Sequence, residues 1–190
     1  MSAGGKRIEE LLVPAPGFRS AIVALKVAEL TDFHAQIVRA VESLTPTQFA
    51  WQPAPGENTI GMLLTHIALA EVHLAQVGLR AERASHASDV LGINVEDDGM
   101  PLAPAGLPPA AIAGRGFAFF GELLAKALAD ARAACEPLEE AVPGELIRRP
   151  PRPDGSYWVI NRHQVLHHMV EHAAQHLGQI LLLKRHAPKS

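Results

Sequence analysis

Histidines are the side chains of this sequence whose number and spacing suggest chemistry. The chain has ten of them, and five fall between His163 and His176. Residues four apart on an α-helix lie about 40° apart around its axis, so two histidines at that spacing can bind one ion. Three pairs have this spacing: His163 with His167, His168 with His172, and His172 with His176. Metal binding, a pH-sensitive surface and a solvated helix are the interpretations that such clustering allows.

The apolar residues of the same segment select one of these pairs. On a helical wheel, His172 and His176 border the arc that we expect to face a core, formed by Met169, Ala173 and Ile180. His168 lies further toward the polar side, and His167 points well away from the arc. We therefore predict that His172 and His176 face inward and that His163, His167 and His168 do not.

A third inward histidine is expected from an earlier helix. His66 shares an apolar stripe with Met62, Leu63, Ala70 and Val77. A lone inward histidine is more often a neutral core residue that is hydrogen-bonded to a neighbouring helix. Three buried imidazoles without partners would leave several polar nitrogens unsatisfied, whereas one divalent ion takes a nitrogen from each ring. We predict a metal site formed by His66, His172 and His176.

No catalytic side chain can be assigned beside these ligands. Ala173 follows His172, so the general base of the His-Glu-x-x-His protease signature is missing. Glu71 is displaced by about 140° from His66 around its helix, and Glu171 also lies off the inward arc. His34 and His73 lie on apolar stripes, where packing in the core is favoured over a supporting role at the metal.

Four apolar-periodic segments predict helices of about 20 residues, at 21–44, 60–79, 112–135 and 161–184. Pro46 and Pro137 end the first and third, and Asn58 or Thr59 caps the second. Residues 81–109 have no sustained period and form either a crossover or a cover over the site. The expected fold class is all-α, a four-helix bundle with a long connection between helices two and three.

A proline-rich basic run interrupts this pattern at residues 148–155. It reads Arg148-Arg-Pro-Pro-Arg-Pro-Asp-Gly155 and predicts an exposed turn, with two very short strands as an option for its flanks. Its arginines could meet an anionic substrate, although a solvated loop is the commoner outcome of such a run.

Composition excludes several classes of protein. Apolar residues make up 48% of the chain, charged residues 19%, and the net charge is −3, so neither disorder nor a nucleic-acid partner is indicated. Cys135 is the single cysteine, and we expect it to be buried and inert. No signal peptide or unbroken apolar run of 18 residues is visible, which predicts a cytoplasmic protein without a membrane partner.

Two stretches resemble the DinB/YfiT-like superfamily. They are Leu44-Thr-Pro-Thr-Gln-Phe-Ala-Trp51 through Thr59-Ile-Gly-Met-Leu-Leu-Thr-His66, and Glu171-His172-Ala-Ala-Gln-His176-Leu-Gly-Gln-Ile180. The resemblance implies a single DinB-like helical-bundle domain over residues 1–190, often homodimeric. It also implies a site for zinc, nickel or a related divalent ion, carried over onto His66, His172 and His176.

The activities that this resemblance implies differ among members. Some are thiol-dependent transferases and isomerases that use bacillithiol or mycothiol, and others are metal-dependent hydrolases. Three imidazoles leave a coordination position open, where a low-molecular-weight thiol could be held as thiolate or a water could be activated. We expect a small-molecule substrate and an S-transferase type of reaction, with a hydrolase or a non-catalytic, metal-stabilised dimer as the alternatives.

Overall fold

Helices form most of the computed structural model, which describes residues 11–100, 103–140, 146–148, 155–157 and 159–188. The elements are α1 (Ala21–Val41), α2 (Pro46–Ala50), α3 (Ile60–His73) with a π-helical continuation (Leu74–Leu79), α4 (Ala87–Leu91), a 3-10 turn (Val95–Asp98), α5 (Phe117–Cys135), β1 (Leu146–Arg148), β2 (Val159–Asn161) and α6 (Arg162–His186).

Three of the four long helices begin at a side-chain cap. Ser20, Thr59 and Asn161 precede α1, α3 and α6, and the side chain of each accepts a hydrogen bond from the backbone N–H three residues later. Such a cap contributes about 1 kcal/mol by satisfying one of the unpaired N–H groups of the first turn. Thr59 is therefore the cap of the helix that carries His66.

The four long helices pack against one another through the apolar stripes that the sequence shows. Helix α3 packs on α5 and α1 packs on α6, while α3 also contacts α6 and α1 also contacts α5. Helix α3 is buried on nearly every side. The all-α class is confirmed, and each long helix overlaps its predicted segment. Helix α3 reaches the predicted end only with its π-helical continuation, and α5 begins later than predicted, at Phe117.

Helix α3 and its π-helical continuation also have the length and composition of a membrane span. Among the described residues this holds for one segment, Ile60–Leu79, whose mean hydropathy is 1.4. Within the protein 72% of that window is buried, because α3 supplies much of the core.

Three short elements were not expected from the sequence. Helix α2 begins at Pro46, where we expected only the end of a helix, and it starts with a capping box between Thr45 and Gln48. Helix α4 and the 3-10 turn lie inside the 81–109 connection, which is therefore partly helical. Apolar periodicity cannot reveal elements of one turn, since they are too short to repeat a pattern.

The flanks of the basic run form the predicted pair of short strands. Strands β1 and β2 are antiparallel, with Leu146 opposite Asn161. Residues 149–154, which carry two of the three arginines, lie outside the described residues, so the role of this run stays a prediction.

Candidate metal centre

Two contacting helices bring the three predicted histidines together. His66 lies on α3, and His172 and His176 lie one turn apart on α6. The Nε2 atom of His172 is 3.1 Å from that of His66 and 3.0 Å from that of His176. One potential ligand atom from each side chain lies within 4.8 Å of the other two. The convergence expected from the helical wheel is thus observed.

The separations between these nitrogens suit a shared ion. Zinc binds imidazole nitrogen at about 2.0–2.1 Å, so two nitrogens on one zinc ion can lie up to about 4.2 Å apart. The two Nε2 separations above fall inside that limit. The three histidines are therefore placed so that they could hold one metal ion.

The cluster is buried on one side and reached by solvent on the other. His172 and His176 are buried, whereas the side chain of His66 is 27% exposed. Solvent therefore reaches the cluster at the ring of His66.

The outer ring nitrogens of two of these histidines are hydrogen-bonded. His66 Nδ1 lies 2.8 Å from Asp98 Oδ2, and His176 Nδ1 lies 2.6 Å from Gln179 Oε1. A carboxylate or amide oxygen accepts, so each Nδ1 must donate. In a neutral imidazole the other nitrogen, Nε2, then carries a lone pair, which is the form that a metal ion requires.

The outer nitrogen of the third ring, that of His172, has no hydrogen-bond partner of this kind. His172 Nδ1 is the one buried side-chain nitrogen or oxygen without a hydrogen-bond partner among the described residues. Its Nε2 faces the Nε2 lone pairs of the two other rings. In the metal-free protein His172 can donate one Nε2–H to them, whereas metal binding requires that proton to move to Nδ1.

Burial keeps the inner pair uncharged. Burial, together with smaller contributions from the neighbouring His176, His66 and His168, lowers the pKa of His172 to about 3. Burial also lowers the pKa of His176, against a hydrogen bond to Gln179 that raises it. Both rings are therefore neutral near pH 7, and neutral imidazole is the form that ligates metal ions.

The remaining C-terminal histidines lie outside the cluster, as predicted. His167 and His168 are exposed and lie 3.8–4.0 Å from Glu171. His163 belongs to the first turn of α6 and is half-buried. None of the three joins the group of ligand atoms around His172.

The other candidates also lie away from the cluster. His34 is buried and contacts Glu71, which confirms that Glu71 does not face His66. His73 ends α3. Burial raises the pKa of the Cys135 thiol to about 12, so this cysteine is an inert core residue.

Sequence reasoning missed two residues of the site, Asp98 and Gln179. Gln179 lies three residues after His176, a spacing that puts both side chains on one helix face. Asp98 ends an acidic stretch, Glu96-Asp97-Asp98, inside the connection that has no periodicity. Its pairing with His66 joins residues 32 positions apart, and no local pattern encodes it.

Comparisons with known proteins agree with this architecture. A crystal structure of a conserved protein from Enterococcus faecalis is similar, with a TM-score of 0.61 and 18% sequence identity; the match covers 85% of this chain and 94% of that chain. At this identity the likeness shows a shared fold. A comparison with curated proteins found no significant match. The family model of the DinB superfamily matches residues 29–180, and the chain belongs to that superfamily.

Proposed function

We propose that His66, His172 and His176 hold one divalent metal ion, zinc or nickel, and that the protein is a metal-dependent enzyme acting on a small molecule. The observation that carries the proposal is the convergence of three Nε2 atoms whose rings are turned inward by the helices. The outer nitrogens of two of those rings are already bonded elsewhere. Membership of the DinB superfamily supports the same ligand set.

An open coordination position follows from the number of ligands. Three protein ligands with a vacant position for water or substrate are typical of catalytic zinc sites, whereas structural sites use four protein ligands. The cluster has three such side chains among the described residues. The partly exposed ring of His66 supports access of a small molecule to that position from solvent.

A thiol is the substrate class that the surroundings favour. A bound divalent ion would supply positive charge that holds a thiol as thiolate, the reactive form in transfer to an electrophile. Three neutral imidazoles do not cancel that charge, and burial keeps His172 and His176 neutral. We therefore propose an S-transferase type of reaction with a low-molecular-weight thiol.

The positions of the carboxylates that are candidates for a general base favour this reaction over hydrolysis. Asp98 is bonded to His66, and Glu71 is bonded to His34. Glu171 accepts a hydrogen bond from Gln175 on the surface. A carboxylate free to take a proton from water would assist hydrolysis, and each of these carboxylates is engaged with another side chain; a thiol held as thiolate by the ion needs no such base.

The proposal also covers the arrangement of the four long helices and the setting in which the protein acts. We interpret α1, α3, α5 and α6 as a four-helix bundle in which the pair α3 and α6 carries the ligands. The bundle would act in the cytoplasm as a homodimer, with neither nucleic acid nor a membrane as partner.

Metal analysis of two histidine variants tests the ligand assignment. The purified protein and its His172→Ala and His167→Ala variants are loaded with zinc, desalted and measured by elemental analysis. His167 is the matched control because it is an exposed histidine of the same helix. We expect one ion per chain in the wild type and in His167→Ala, and almost none in His172→Ala. Equal metal in all three proteins would refute the assignment.

A further inference from the structure

We propose that Asp98 is a positioning residue of the metal centre, which holds His66 as the tautomer protonated on Nδ1 and so presents Nε2 to the ion. The inference rests on the proposed metal binding. It assigns a role to the connection between α3 and α5, which supplies this carboxylate.

Both oxygens of Asp98 are used. Oδ2 accepts from His66 Nδ1 at 2.8 Å, and Oδ1 accepts from the backbone N–H of Met100 at 2.9 Å. Asp98 is itself buried. The second bond fixes the rotation of the carboxylate, so that Oδ2 stays directed at the ring.

The backbone that carries Asp98 is also fixed. Gly99 has φ of 66°, a left-handed conformation that favours glycine, and it ends the 3-10 turn. A Cβ at residue 99 would lie 2.5 Å from Cγ of Pro109. Pro109 can therefore cover this turn only because residue 99 is glycine, and the turn itself packs against α3.

The three proposed ligands differ in this support. Asp98 is the single charged group, among the described residues, that is bonded to the outer nitrogen of a ligand ring. Gln179 supports His176 with a neutral amide from the same helix, and His172 has no supporting partner. A carboxylate that accepts from a ligand histidine fixes the orientation of the ring and raises the basicity of its metal-binding nitrogen. His66 is accordingly the ligand whose proton is most firmly placed.

The Asp98→Asn variant should reverse this tautomer. The N–H of Met100 needs an acceptor, so the amide oxygen of Asn takes the position of Oδ1. The amide NH₂ then faces His66 Nδ1 and donates to it, which moves the ring proton to Nε2. That tautomer cannot bind the ion through Nε2. An isosteric change is therefore expected to harm metal binding at least as much as Asp98→Ala, the opposite of the order expected for a packing role.

Zinc affinity, measured by competition with a chromophoric chelator, tests this order. We expect a loss of about 10- to 100-fold in Asp98→Asn and no larger loss in Asp98→Ala. Glu96→Gln is the matched control, since it removes a charge from an exposed position of the same turn. Its affinity should change by less than about threefold, because exposed charges are screened.

Nitrogen-15 NMR of the metal-free proteins gives a readout that does not depend on metal or activity. His66 should show Nδ1–H in the wild type and Nε2–H in Asp98→Asn, with little change in melting temperature between them. An unchanged tautomer, or Asp98 variants that fold only poorly without metal, would overturn the positioning role. A wild type that binds no zinc would instead refute the proposed function, so the two failures are distinguishable.

Discussion

Two of the polar side chains of helix α3, His66 and Glu71, have surroundings that differ sharply. Glu71 is fully buried, and its two oxygens lie 2.7 and 2.9 Å from Nε2 of His34 on α1. That pair is complete, because a ring N–H meets a carboxylate. His66 instead directs its Nε2 at another imidazole, whose own Nδ1 has no partner. A buried histidine facing a carboxylate is satisfied within the protein, whereas histidines facing one another leave room for an ion.

The angular separation of the two side chains explains why their partners differ. Five residues along an α-helix correspond to a rotation of about 140°, which turns Glu71 away from the face that carries His66. One side chain therefore meets α6 and the other meets α1. The same helix thus contributes to a structural pair and to the candidate metal centre.

Breaking the complete pair is expected to have the largest effect on stability. Glu71→Ala leaves His34 buried without its partner and should lower the free energy of unfolding by about 3–5 kcal/mol, measured by urea denaturation of the metal-free protein. Zinc content per folded chain should not change. The double variant His34→Leu, Glu71→Leu should recover most of the loss, because apolar residues replace both partners. A loss below about 1 kcal/mol would show that the pair is not structural.

The next largest effect on the stability of the protein is expected from acid, through the titration of His172. The pKa of His172 is about 3 in the folded protein against 6.5 for the free side chain, so the unfolded chain binds more protons between these values. In the metal-free protein the stability that depends on neutral His172 should therefore be fully present above pH 6.5 and be lost as the pH falls toward 3. The contribution of His172 is at most about 1.4 kcal/mol per pH unit.

The His172→Leu variant isolates that contribution. Urea denaturation at a series of pH values should give a shallower slope for the variant than for the wild type between pH 3 and 6.5. An identical slope in both proteins would contradict the assignment of this titration to His172.

The smallest of the expected effects is a change in zinc affinity on substitution of Gln179. Its amide is neutral, and its side chain belongs to an exposed residue of α6, so Gln179→Ala should weaken zinc binding only about fivefold, corresponding to one hydrogen bond of about 1 kcal/mol. Gln175→Ala removes an amide one turn earlier that bonds to Glu171, and it should leave affinity unchanged. A loss at Gln179 equal to that at Asp98 would show that charge does not matter to this support.

The sequence predicts well whatever depends on helical periodicity. The four long helices and the inward faces of His66, His172 and His176 follow from stripes that repeat over several turns. The rejection of His167 and His168 rests on the same geometry. Each of these predictions concerns the angle of a side chain on its own helix, which local sequence determines.

Features that depend on long-range pairing escaped prediction. Asp98 reaches His66 from a connection without periodicity, and the path of that connection is set by contacts such as Pro109 over Gly99. The partner of Glu71 could not be predicted either. A helical wheel gives the direction of a side chain on its own helix, but it does not show which other helix that side chain contacts. Helix α2 is different, since its capping box of Thr45 and Gln48 with Pro46 was a readable local signal.

Diffraction from a zinc-loaded crystal at the zinc absorption edge tests the central claim most directly. We predict one anomalous peak, bonded at about 2.0–2.1 Å to Nε2 of His66, His172 and His176, with a water or small molecule as the remaining ligand. A peak elsewhere would contradict the assignment of these histidines. A peak at the cluster with a fourth protein side chain bonded to it would show a closed structural site and contradict the proposed enzyme.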